Sequence, residues 1–225
     1  MRLRRLILSD IRFQWKYGFY LLYAVLTALY IVVLCSLPSS VRGPIATLLI
    51  FSDPAAMGLF FMGAIVLLEK SQRVLSTFAV SPVRKAEYIV AKITALGVIS
   101  SLVALVLAVA VGKKLLWVLA GTLCSSVIFS LLGIIVASKI NSLNQFILWT
   151  VPFELVGFGP AIVYVYGVDH TAFSYYPANI CVDMIAGRFT GIPKLGVLVL
   201  VIGMLAYLAH RSVAKMFQSL GGASL

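Results

Sequence analysis

Apolar residues gather along this chain into long continuous runs separated by short polar stretches, rather than alternating with polar positions. A helix needs ~20 apolar residues to cross roughly 30 Å of hydrocarbon, where its backbone must satisfy its own hydrogen bonds. Candidate spans fall at residues 17–37, 45–68, 88–111, 115–138, 146–168 and 195–209. The second is interrupted by Ser52, Asp53 and Pro54, the fifth carries Pro152, Glu154 and Pro160, and the sixth is short and starts near Pro193. Only Gly112, Lys113 and Lys114 part the third from the fourth. A transmembrane β-barrel would show a period of two, so the pattern predicts an all-α protein with six transmembrane helices.

Composition sharpens this to an integral membrane protein. Hydrophobic residues make up 62% of the 225 positions, charged residues only 11%, and mean hydropathy is +1.07. A soluble domain carries roughly 25% charged residues. With no internal repeat, low-complexity tract or linker, residues 1–225 read as one transmembrane domain.

The surplus of 18 basic over 7 acidic residues, a formal net charge of +11, is dispersed over several loops and sets topology. With a cytoplasmic N-terminus, the inner segments hold the basic residues from Arg2 to Lys16 and from Lys70 to Lys92, then Lys139, Arg211 and Lys215. The outer ones keep Arg42, Lys113, Lys114, Arg188 and Lys194. Both termini are therefore expected in the cytoplasm. Dispersed basic residues give no footprint for nucleic acid.

Residues 1–16 are no cleavable signal, because Asp10, Arg12, Gln14 and Lys16 break the apolar pattern. At helical spacing Arg2, Arg5, Ser9, Arg12 and Lys16 form one stripe, and Leu3, Leu6, Ile7 and Ile11 the opposite one. That pattern predicts an amphipathic interfacial helix on the inner leaflet. Asp10, on the apolar side, favours the alternative of a solvated basic tail.

Between the second and third spans lies a polar segment, residues 69–87, far longer than a connector requires. Val74, Leu75, Phe78 and Ala79 fall at i, i+3, i+4 spacing and predict a cytoplasmic helix of about two turns. Ser81 and Pro82 then supply a cap and a first helical residue for the next helix. A compact helical elbow results, suited to docking something in the cytoplasm.

These residues resemble the permease subunit of ABC-2 type transporters. The resemblance is carried by Glu69-Lys70, Leu75, Ser81-Pro82, Glu87-Tyr88 and Lys92. The "FSDP" at 51–54 and "VLLEK" at 66–70 are similar to the branch labelled drug or fluoroquinolone export permeases. It implies a half-transporter pairing as a homodimer or heterodimer in a prokaryotic inner or plasma membrane, driven by a separate ABC ATPase dimer that carries ATP and Mg. The segment 72–79 would be the coupling helix seated in a groove of that ATPase. Glu69, Lys70 and Arg73 would form salt bridges there, Leu75 and Phe78 an apolar core, and Gln72, Ser81, Pro82, Arg84 and Glu87 would complete the contact. Where many members have a small residue or threonine before the leucine, this chain has Arg73-Val74.

The chain carries no engine of its own. No G-x-x-x-x-G-K-[ST] phosphate loop, H-E-x-x-H or G-x-S-x-G string occurs, so neither ATP hydrolysis nor common hydrolase chemistry is expected here. His170 and His210 fall on opposite predicted sides, and Cys35, Cys124 and Cys181 form no framework, so no metal site or catalytic residue is expected.

Two acids in apolar surroundings are candidates for the translocation pathway, because charge at the bilayer centre costs ~2.5–3.5 kcal/mol on insertion scales. Asp53 before Pro54 reads either as the cap of a helix over 54–68 or as a pathway residue. Glu154 lies between Pro152 and Pro160, where the helix is expected to kink or break. It reads either as a pathway carboxylate for a cationic or zwitterionic substrate or as a buried anchor at a subunit interface. The outer segment 169–194 places Ile180, Met184 and Ile185 at helical spacing after Pro177, predicting a short helix on the outer surface that gates the exit or plugs the dimer.

The reading as a whole is a non-catalytic permease subunit that exports a hydrophobic or amphiphilic small molecule. Its rivals are an intramembrane enzyme and a membrane scaffold or assembly factor without a transport cycle.

Overall fold

A computed structural model describes residues 2–53, 58–75, 83–167, 171–188 and 191–220. Among these, nine α-helices and one 3-10 turn account for the regular structure, and no strand occurs. The helices are α1 (Arg2–Lys16), α2 (Phe19–Ser36), α3 (Ser39–Ser52), α4 (Gly58–Ser71), α5 (Lys85–Val111), α6 (Leu115–Lys139), α7 (Leu143–Val165), α8 (Pro177–Ile185) and α9 (Ile192–Leu220). Five of them, α2, α5, α6, α7 and α9, are long and apolar enough to cross a membrane.

The second predicted span is described as α3 and α4, of 14 residues each, with residues 54–57 between them outside the described residues. Asp53 keeps right-handed helical dihedrals at the end of α3 (φ −61°, ψ −57°), whereas an N-cap residue is ordinarily extended. The sixth predicted span starts near Pro193 as expected but continues to Leu220, well beyond its apolar stretch.

The turn between α5 and α6 follows from Gly112. Its left-handed φ of 70° ends α5, and the Lys113 N–H returns to the Ala108 carbonyl at 2.9 Å, so the chain reverses within three residues. At its other end α5 begins at Lys85, behind an extended Arg84 whose backbone N–H donates to the Glu87 carboxylate at 2.9 Å. Arg84 and Glu87 thus cap α5 with the reciprocal half of a capping box. Ser81 and Pro82, with Phe78, lie outside the described residues.

Helix α6 is the centre of the bundle, packed on α5, α4, α9 and α8. Glycines allow the closest of these approaches. A Cβ at Gly133 would stand 2.8 Å from the Leu59 carbonyl oxygen of α4, and one at Gly121 would stand 2.8 Å from the Cys181 carbonyl oxygen of α8. Backbone cannot yield as a side-chain tip does, so neither site has room for alanine.

Helix α8 corrects the expectation of a helix lying on the outer surface. Every residue from Ala178 to Ile185 is buried, and α8 sits between α6, α7, α3 and α9. Spacing alone gave Ile180, Met184 and Ile185 one apolar face. Asn179 and Asp183 are buried with it and held by neighbouring elements: the Asn179 Nδ2 donates to the Phe173 carbonyl at 2.8 Å, and Tyr164 donates to Asp183 at 2.9 Å.

Helix α7 runs unbroken through Pro152 and Pro160. Pro160 has no N–H for the Val156 carbonyl one turn back. The Tyr176 hydroxyl donates to that carbonyl at 2.6 Å, so the donor lost to proline returns from the residue that precedes α8.

Candidate functional site

Ionic contacts concentrate at two opposite ends of the bundle. At the end holding α1 and the base of the elbow, the Lys92 ammonium donates to Asp10 Oδ1 at 2.7 Å and to Glu69 Oε1 at 2.5 Å. The Tyr88 hydroxyl donates to Glu69 Oε2 at 2.9 Å. Lys92 and Glu69 are both under 5% exposed, so one buried cation ties α1, α4 and α5 together. Desolvating such charges is costly, and the direct hydrogen bonds offset it. Tyr88 and Lys92 stand four residues apart and share one face of α5.

Lys70 turns the other way. Its ammonium donates to the carbonyls of Ile140 at 2.7 Å, Ala137 at 2.8 Å and Ser138 at 3.0 Å, at the end of α6. A cation there adds a donor to the carbonyls at the helix end and meets the negative end of the helix dipole. The adjacent acid and base that end α4 thus grip α5 and α6 separately.

The elbow leaves α4 through a strained turn. Arg73 has φ 58°, in the region that favours glycine, and its N–H donates to the Lys70 carbonyl at 3.1 Å. Gln72 donates to the Tyr17 hydroxyl at 2.6 Å and Arg73 is exposed. Leu75, expected in the core of a partner contact, lies fully buried in this chain's own core. Of the expected coupling residues, Glu69, Lys70 and Leu75 therefore face inward, whereas Gln72, Arg73 and Arg84 are exposed.

Three residues of this knot carry more than the sequence reading assigned them: Asp10, Tyr88 and Lys92. Asp10 marked itself as an acid on the apolar side of α1. In the structure that side packs toward α5, and Lys92 accounts for the acid. The exposed stripe of α1 holds Arg5, Ser9, Arg12 and Lys16.

At the opposite end Asp183, on buried α8, accepts from Tyr164 of α7 and lies 3.1 Å from the Lys194 ammonium of α9 and 3.5 Å from Arg188. Lys113 donates to Thr47 Oγ1 at 2.6 Å. Burial, with the charge of Arg188 adding to it, pushes the Lys113 amine down to about 8.

Between these ends lie the two pathway candidates. Asp53 is 1% exposed, and neither carboxylate oxygen has a hydrogen-bond partner among the described residues. Glu154 lines a separate cavity of about 210 Å³ with Phe129, Val151, Leu155, Phe158 and Ile162, and its Oε1 is buried without a partner among the described residues. Phe129 and Phe158 also meet Phe51 of α3, at 5.9 and 6.0 Å between ring centroids, which braces the cavity wall. One partnerless carboxylate in an aromatic and aliphatic lining suits a ligand with an apolar body and a cationic group.

Comparison with known proteins gives a single direction. The Fluoroquinolones export permease protein family matches residues 1–208 of this chain. Two relatives from Mycobacterium tuberculosis, strains CDC 1551 and H37Rv, are each named a fluoroquinolones export permease protein. Each is 31% identical over 143 residues, or 62% of this chain and 60% of the relative. The chain thus matches these relatives over less than two thirds of their length.

Proposed function

The chain belongs to the Fluoroquinolones export permease protein family, and from that premise we propose that it is the membrane subunit of an ATP-driven exporter, powered by a separate ABC ATPase dimer and working beside a second permease protomer. The basic end of the bundle faces the cytoplasm in this reading, following the positive-inside bias. The ATPase seats the elbow through the exposed Gln72, Arg73 and Arg84 together with Phe78, Ser81 and Pro82. Glu69 and Lys70 hold the elbow's base to the bundle.

The single observation that carries the reading is the double grip at the end of α4. Because Glu69 holds α1 and α5 through Lys92, and Lys70 holds the end of α6, the base of the elbow is fastened to the helices that surround it. A displacement imposed on the elbow by nucleotide-driven closure would move them together, not just bend a loop. Helix α6 also supplies Phe129 to the Glu154 cavity, so the same motion reaches the proposed pathway. The cargo is a hydrophobic or amphiphilic small molecule with a cationic or zwitterionic group, and fluoroquinolones, named for the relatives, are the first class to test.

The experiment is co-purification with the cognate ATP-binding subunit from native membranes. Arg73→Gly suits the left-handed turn and removes the charge, and Arg84→Ala keeps the backbone N–H that caps α5. The double variant should insert and elute as wild type but lose the ATPase and its drug-stimulated hydrolysis. Retention of both at wild-type levels would overturn the docking site.

A further inference from the structure

Two cavities beyond the one at Glu154 share Phe153 of α7 and one face of α6, the second of them walled also by α8 and α9. One, of about 330 Å³, opens between Lys139, Ile135, Trp149 and Phe153. The other, of about 320 Å³, continues from Phe153 past Leu132 and Ile128 to Ser125. Phe153 lines both, and Ile128, Leu132, Ile135 and Lys139 recur at three- and four-residue spacing on one face of α6. Joined at Phe153, they extend over the fourteen helical steps from Ser125 to Lys139, about 21 Å. One leaflet's share of a roughly 30 Å hydrocarbon layer is about 15 Å, so the groove takes a whole acyl chain.

Its lining is apolar except at the ends, and the Lys139 end carries the donors. Lys139 is exposed and has no hydrogen bond or ion pair among the described residues, because Lys70 already satisfies the carbonyls at the end of its helix. Trp149 is 61% exposed beside it, with no hydrogen bond recorded for its indole N–H among the described residues. A free ammonium and an amphipathic indole at the mouth of an acyl-length groove match an anionic headgroup at the membrane surface.

We propose that the groove between α6 and α7 binds one anionic phospholipid of the leaflet at the Lys139 end, its phosphate at Lys139 and Trp149 and one acyl chain running past Phe153 and Leu132. This goes beyond the export reading: the site needs neither ATPase nor drug, so its failure leaves that reading standing.

The test is native mass spectrometry of the delipidated full chain in detergent, titrated with phosphatidylglycerol, phosphatidylcholine, lysophosphatidylglycerol and glycerol phosphate. One lysine near an anionic headgroup is worth about 1 kcal/mol, so phosphatidylglycerol should bind about five-fold tighter than phosphatidylcholine. The single-chain lipid should still bind and glycerol phosphate should not. Lys139→Gln should bring the two diacyl lipids to equal affinity, and Lys139→Arg should keep the preference. Leu132→Trp, which fills the groove, should weaken both lipids, with circular dichroism and elution verifying each variant's fold. Equal binding of the two lipids by wild type, a preference that survives Lys139→Gln, or retention unchanged in Leu132→Trp would each overturn the proposal.

Discussion

Asp10 of α1 and Lys92 of α5 meet at 2.7 Å across 82 residues of sequence, and Glu69 of α4 completes the pair from the other side. Lys92 is the only cation in contact with both carboxylates among the described residues. Removing one member of a buried ionic pair leaves the others uncompensated, at a cost of about 3–5 kcal/mol. Lys92→Met should therefore lower stability by about that much in detergent unfolding. The triple variant Asp10→Asn, Glu69→Gln, Lys92→Met should recover a large part of it. If the single and triple variants unfold alike, the knot is not an electrostatic unit.

Lys113 gives a pH dependence of defined sign. Its amine sits at about 8 in the folded chain against an ordinary 10.5, so between those values the unfolded chain binds more protons. Stability therefore rises with pH across the window from about 8 to 10.5, and the penalty for the charged amine is fully present below it. Thermal midpoints of wild type and Lys113→Met, measured in lipid nanodiscs from pH 7 to 10, should converge as pH rises. A constant difference across the series would show that Lys113 titrates alike in both states.

Tyr176 replaces a donor that Pro160 removes. Tyr176→Phe should remove the hydroxyl from the Val156 carbonyl and cost about 0.5–1.5 kcal/mol, the net worth of an ordinary hydrogen bond. Combining it with Pro160→Ala, which restores an N–H within α7, should cost less than the sum of the two single changes. Strict additivity in that double-mutant cycle would mean that the hydroxyl and the proline are not linked.

The ends of the long helices were legible wherever a local rule fixed them. Gly112 ends α5 by its left-handed turn, and Leu115 opens α6 three residues later, both as the sequence indicates. Pro152 and Pro160 do not break α7, and at Pro160 the freed carbonyl is served by Tyr176, which lies 20 residues away from Val156. Burial of α8 was hidden for the same reason. Ile180, Met184 and Ile185 indicate one apolar face, but the contacts of Asn179 and Asp183 with Phe173, Tyr164 and Lys194 come from other elements. Asp10 carried the readable anomaly, an acid on an apolar stripe, but its partner could be found only in three dimensions. Local signals give element boundaries, whereas the partners of buried polar groups are long-range facts.

Glu154→Gln separates the two readings that its sequence context allows. Its carboxylate borders a cavity of about 210 Å³ walled by Phe129 and Phe158, and its buried oxygen has no partner among the described residues. Glu154→Gln keeps the volume and removes the charge. A hydrogen bond to a charged group is worth about 1.5–3 kcal/mol, so export of a substrate with a protonated amine should need about 10- to 100-fold higher concentration for half-maximal rate. A neutral analogue of the same apolar shape should be exported as before. An anchor at a subunit interface would respond differently: the variant would shift the oligomer seen by light scattering and depress export of both compounds equally. Measuring the charged and neutral substrates side by side, with oligomer mass in the same preparations, distinguishes recognition of cargo from assembly, because only recognition depends on the charge of the molecule carried.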